Sequence, residues 1–146
     1  MSNNSSQVGT IGRESHRTGT LRLHERIGQD LKERFGGQIV EHKLPNFSPD
    51  CVIHNDDRIA VIDISTGDPT LPLPASANTR MLNLKDGAAK LGLPGVVVPV
   101  LVTNYLIDDA DRQELESGGI KIVRVLGPSY NSKALSDQLE GIIARA

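Results

Sequence analysis

The sequence predicts a single α/β domain: a mixed β-sheet with helices on both faces. Three observations carry that expectation. Hydrophobic periodicity gives the element order α-β-β-β-α-β-α-β-α, in which three meandering strands precede two that each follow a helix. One of the strands, Arg58 to Ser65, is apolar at nearly every position, which suits a central strand covered on both sides. The chain has 146 residues, 38% hydrophobic but only 3% aromatic, so one modest core must be built from Val, Ile, Leu and Ala. Many of the β-branched residues fall in short runs.

Residues Met1 to about Gly19 are rich in Ser, Asn, Gly and Thr and read as a flexible arm. Arg13, His16, Arg17, Arg22 and Arg26 make its far end locally basic, which suits either a solvated tail and helix face or a phosphate-contacting arm. A helix is expected from Thr20, its candidate N-cap, to Phe35, with Leu21, His24, Ile27, Leu31 and Phe35 on one side. Gly36-Gly37 ends it. Gln38 to Leu44 alternates as a first strand. After the loop Pro45 to Pro49, Asp50 to His54 opens a second, and Asn55-Asp56-Asp57 reads as the hairpin turn into Arg58 to Ser65.

Thr66 to Ala77, with Gly67, Pro69, Pro72 and Pro74, is a loop long enough for a lid or a substrate-facing segment. A helix from Asn78 to Leu91 buries Met81, Leu84, Ala88 and Leu91. Val96 to Thr103 is a strand in which Pro99 implies a kink or an edge. Asp108 or Asp109 caps a short helix that stops at Gly118-Gly119. Ile120 to Leu126 is the last strand, and Ser132 to Ala146 closes the chain with Leu135, Leu139, Ile142 and Ile143 inward.

Several function classes are disfavoured. The net charge of −2 does not mark the whole chain as a nucleic-acid binder, so any such binding needs a local basic face. The lone Cys51 rules out an intrachain disulfide framework and a Cys-rich zinc site, and reads as a small core residue. His24 and His54 lack Cys partners or H-x3-H spacing. No phosphate-binding glycine loop, dinucleotide turn or nucleophile elbow is present. No signal peptide is evident and no apolar run approaches the ~18 residues of a membrane span, so a cytoplasmic protein is expected.

Three acids stand out by position. Glu25 lies at the margin of the first helix's apolar stripe. Asp50 sits where a loop meets a strand. Asp63 lies inside the most apolar strand, where a carboxylate is costly unless paired or metal-bound. A hairpin about Asn55–Asp57 brings Asp50 near Asp63. Two like charges there raise a pKa unless a cation bridges them, and oxygen-only ligands favour Mg²⁺ or Mn²⁺. Each acid has a structural alternative: Asp63 a buried aspartate held by backbone donors or an arginine, Asp50 a turn acid after Pro49, Glu25 a surface helix residue.

Pro49-Asp50, a twelve-residue gap and then Asp63-Ile64-Ser65 resemble the signature of the PD-(D/E)xK, restriction-endonuclease-like nucleases. Glu25 matches the helix glutamate of many members. The stretch from Val102 to Gln113, with Gly119-Ile120 after its helix, resembles the Mrr-like and Holliday-junction-resolvase-like branches. The resemblance spans about residues 20 to 143.

It implies an αβββαβ core and a Mg²⁺- or Mn²⁺-dependent endonuclease that hydrolyses phosphodiester bonds in DNA, or else in RNA. Asp50 and Asp63 would be catalytic metal ligands, with Glu25 as a ligand or organiser. Ser65 stands where the family has its lysine, and a serine supplies no cation. Removing one preorganised stabiliser typically costs ~10²–10³ in rate. Lys85, Lys43 and Arg80 are candidate replacements, with Lys85 preferred and a solvated or snorkelling side chain the alternative for each. A catalytically degenerate module that binds nucleic acid or protein is the main rival, and an unrelated α/β domain the next. The apolar closing helix and the Val96–Val98 run leave room for a homodimer.

Overall fold

A computed structural model of the chain describes residues 11–40, 49–90, 92, 95–125 and 130–144, with backbone alone for 11–22. Its centre is the hairpin the sequence announces. Strands β1 (Cys51–Asn55) and β2 (Arg58–Ser65) pair antiparallel from Cys51↔Ile62 to Asn55↔Arg58. Only Asp56 and Asp57 separate them, and Asp56 turns the chain with φ of 52°, a conformation Asp tolerates better than most residues.

Helix α2 (Ala75–Lys90) carries the chain back so that β3 (Val96–Thr103) lies parallel to β2 along its whole length. Helix α3 (Asp109–Ser117) does the same for β4 (Lys121–Arg124), giving a mixed sheet in the order β1-β2-β3-β4. Ile39 adds an isolated antiparallel bridge to Ile53 beyond β1, and the Val40 N–H donates to the Val52 carbonyl at 3.0 Å. That contact is the described part of the expected Gln38–Leu44 strand; residues 41–48 lie outside the described set.

The alternation of side chains across the strands divides the core in two. On one face α1 (Ile11–Phe35) and α4 (Ser132–Ala144) cover Ile53, Ala60, Ile62, Ile64, Val100 and Val102. On the other α2 and α3 cover Val52, Ile59, Val61 and Leu101 with Met81, Leu84, Ala88 and Leu115. Each large side chain so removed from water contributes roughly 1.5–3 kcal/mol. The buried strand β2 is thus covered on both sides, as its composition requires.

Several boundaries differ from the sequence reading. Helix α1 begins at Ile11, not Thr20, so half of the expected arm is helical. Its buried stripe is Leu23, Ile27, Leu31 and Phe35, four residues apart, and His24 falls on the margin with 41% of its side chain exposed. Helix α2 starts at Ala75, just after Pro74, whose fixed φ and missing N–H suit a helix entrance. Pro99 is not on an edge strand, because β3 is interior. It precedes the Val100–Thr103 segment that pairs with β4, so it faces one named neighbour only.

Gly95 enters β3 at φ of 106°, and a Cβ there would run into the Asp57 carbonyl, which accepts from Val96 N–H at 2.6 Å. Asp108 is the N-cap of α3, its carboxylate accepting the Asp111 N–H at 2.7 Å. Leu135, Leu139 and Ile143 of α4 pack against α1 and the sheet, while Val96 of the Val96–Val98 run is exposed. Among the described residues no helix is long and apolar enough to cross a membrane.

Candidate active site

The site forms at the C-terminal end of β2, on the face that α2 covers. Val52 pairs with Val61 and both sit in the α2-side core. Continuing that register by two residues sets Asp50 against Asp63, and the Asp50 N–H donates to the Ile62 carbonyl at 2.9 Å, which extends the ladder that far. Period-two alternation then puts both carboxylates on the α2 side.

Asp63 is buried, at 1% exposure. Burial pushes its carboxyl up to about 7 from an ordinary 3.8. The Arg80 guanidinium pulls it back down, while Asp50 adds to the rise both as a like charge and as a hydrogen-bond partner. The two acids are therefore close enough to share a proton. With both ionised neither can donate, and Asp63 Oδ2, fully buried, has no hydrogen-bond donor among the described residues.

Asp50 is more accessible, with 24% of its side chain exposed, and is held from three directions. Its Oδ2 accepts the Ile64 N–H at 2.7 Å. Its Oδ1 lies 3.3 Å from His24 Nε2. Arg80 Nη2 stands 3.8 Å from Oδ2 and only 2.6 Å from Asp63 Oδ1. One guanidinium nitrogen thus faces both carboxylates. Asp50 also helps keep the neighbouring Cys51 thiol protonated: burial first, then the Asp50 charge, pushes it up to about 11 against the opposing charge of Lys32. That makes Cys51 a poor nucleophile and a poor metal ligand at neutral pH.

The remaining sequence candidates fall as follows. Ser65 ends β2, half-buried and on the same face as Asp63, with Thr103 beside it in the register. Glu25 is exposed, and its neighbour His24 meets Asp50. Lys85, the preferred replacement for the family lysine, is placed elsewhere. Its amine lies beside Gly118 at the end of α3, 3.3 Å from where a Cβ would stand.

The reason is direction. Helix α2 runs back from the C-terminal end of β2, and five residues beyond Arg80 is about 7.5 Å further from the acids. Arg80, ranked below Lys85 from sequence, is among the described residues the arginine that reaches them. Lys43 lies outside the described residues.

The loop after β2 borders the site. Asn104, at 3% exposure, accepts the Gly67 N–H with Oδ1 and donates to the Gly67 carbonyl with Nδ2, both at 2.8 Å. The Tyr105 hydroxyl packs so closely on Gly67 that a Cβ there would collide with it. Leu73 N–H to the Leu106 carbonyl and Leu106 N–H to the Leu71 carbonyl complete the attachment. The loop expected as a lid or a substrate-facing segment is thus fastened at Gly67, Leu71 and Leu73. Arg124 fastens the next loop, donating to the carbonyls of Tyr105 and Asn104.

Among the described residues no group of three or more His, Cys, Asp or Glu side chains is arranged to hold a metal ion. The acid pair nevertheless fits a hydrated Mg²⁺ or Mn²⁺, which needs only one or two protein carboxylates and otherwise keeps its water. The unpartnered Oδ2 of Asp63 is the oxygen of the pair left to serve such an ion. Comparison with protein-family models, with curated proteins and with solved structures gives no match for this chain.

Proposed function

We propose that the acid pair is the active site of a metal-dependent nuclease, hydrolysing phosphodiester bonds in DNA or, failing that, RNA, on a restriction-endonuclease-like fold. The observation that carries this reading is the convergence of Asp50 and Asp63 on one face, with a buried carboxylate oxygen left without a donor. An aspartate inside an apolar strand is expensive to maintain, and expensive ionisable clusters concentrate where chemistry is done.

The topology lends support: a helix, the β1–β2 hairpin, a crossover helix and a parallel strand follow one another as αββαβ, and an isolated bridge at Ile39 stands where the first strand of the αβββαβ order of PD-(D/E)xK proteins would lie.

In this reading Asp63 and Asp50 hold the divalent ion, and the Ile64 N–H fixes Asp50 for the purpose. When bound, Mg²⁺ or Mn²⁺ acidifies water and offsets the charge that builds on the phosphorus oxygens. Ser65 offers a hydroxyl at the rim but no charge. Arg80 brings the cation the motif lacks, on an α2 side chain 58% exposed.

One observation favours a second reading. Arg80 already satisfies Asp63 Oδ1 at 2.6 Å, as it would in a degenerate site kept for structure within a module that binds nucleic acid or protein. Incubating the purified chain with plasmid, branched DNA and RNA in Mg²⁺ or Mn²⁺ separates the two. Cleavage that Asp63→Ala abolishes supports the hydrolase; no cleavage of any substrate with either metal moves the assignment to the binding module.

A further inference from the structure

We propose that Arg80 is a displaceable counter-ion of the acid pair: a divalent cation and Arg80 compete for Asp50 and Asp63, and the released guanidinium becomes the ligand for a phosphodiester. The inference rests on the acid pair being a metal site and adds a role and an order of events to it.

Four observations lead there. A single nitrogen, Arg80 Nη2, faces both carboxylates, at 2.6 Å from Asp63 Oδ1 and 3.8 Å from Asp50 Oδ2, so it occupies the place a shared cation would take. The contact is lopsided: 2% of the Asp63 side chain is exposed, against 58% of the Arg80 side chain. The guanidinium reaches in from outside on an exposed stem and can withdraw without unpacking the core, because the buried residues of α2 around it are Ala77, Met81 and Leu84.

Third, among the described residues Arg80 donates one hydrogen bond, not the bidentate fork that would make an arginine–carboxylate pair strong. Last, the charges do not cancel. With both acids ionised, two negative charges face the single Arg80 guanidinium, His24 reaches only Asp50 Oδ1, and the buried Asp63 Oδ2 remains without a donor. A divalent ion supplies both charges.

Once displaced, Arg80 cannot lose its proton and cannot travel far. It stands tethered at the rim of the site with an unpaired positive charge, where the substrate is an anion. Metal and phosphodiester therefore bind with positive coupling, and by linkage each raises the affinity of the other by the same factor.

The test is calorimetric titration of Mn²⁺ into the full chain as wild type, Arg80→Gln and Arg80→Lys, with circular dichroism to establish that each is folded. Arg80→Gln is expected to bind Mn²⁺ more tightly, by about tenfold, within the usual range for such coupling. Arg80→Lys, which keeps the charge, should stay near wild type. In a second arm, fluorescence anisotropy of a phosphorothioate DNA duplex at fixed ionic strength should show Mn²⁺ raising DNA affinity more in wild type than in Arg80→Gln.

Unchanged or weaker Mn²⁺ binding by folded Arg80→Gln, or equal coupling in the two proteins, overturns the competition while leaving the metal site intact. If neither wild type nor Arg80→Gln binds Mn²⁺, the acid pair is not a metal site and both proposals fall together.

Discussion

Replacing Asp63 by Asn should stabilise the folded chain at alkaline pH, and the size of the effect follows from the site. The Asp63 carboxyl is held near 7 in the fold against 3.8 in an unfolded chain. A group whose proton is bound more tightly in the folded state favours folding fully below pH ~4, and that contribution is lost as the pH climbs through 7. Between those limits the ionised wild type forfeits at most about 4 kcal/mol. The effective figure is smaller, about 1–3 kcal/mol, because the proton belongs to the Asp50–Asp63 pair and not to one acid.

Asparagine has the same shape and does not titrate. Its oxygen can still accept from Arg80, and its amide can donate to Asp50, which the buried Oδ2 cannot do. Urea unfolding of both proteins from pH 4.5 to 8.5 reads this directly. Equal stability near pH 4.5 and an advantage for Asp63→Asn that widens with pH is the expected result. A variant less stable than wild type at pH 8.5, or a difference that ignores pH, would refute the claim that Asp63 is a strained acid.

Two further changes probe how the site is held. Asn104→Ala removes both hydrogen bonds that pin Gly67 and leaves two backbone groups to find new partners; it should cost about 1–3 kcal/mol in urea midpoint and speed amide exchange across residues 66–74 before the sheet. Asp108→Ala deletes the α3 cap at 2.7 Å. It should lower stability by ~1 kcal/mol, read as a lower urea midpoint.

The hairpin and its acids were legible in the sequence for a specific reason. The turn Asn55-Asp56-Asp57 fixes the β1–β2 register, and register alone decides that Asp50 and Asp63 meet on one face. The apolar run Arg58 to Ser65 likewise announced a strand covered on both sides. What the sequence did not expose is where two helices lie against the sheet. The choice of Arg80 over Lys85 depends on how far along α2 the chain has travelled from the end of β2. The only local hint was that Arg80 precedes the buried Met81 by one residue near the entrance of the helix.

His24 was missed by a single step of helix phase. The expected stripe of Leu21, His24, Ile27, Leu31 and Phe35 holds for Ile27, Leu31 and Phe35, but Leu23 is the buried residue one position before His24, and His24 turns toward Asp50. Pro99 misled for a different reason. β4 is only four residues long, so proline is tolerated on a central strand ahead of the paired segment.

A crystal of the full chain soaked in Mn²⁺ and measured at the manganese absorption edge tests the central claim most directly. The account predicts an anomalous peak bridged by the Asp50 and Asp63 carboxylates, with Arg80 swung away from Asp63 Oδ1. No peak between the two acids at saturating Mn²⁺, with the Arg80–Asp63 contact intact, would contradict it.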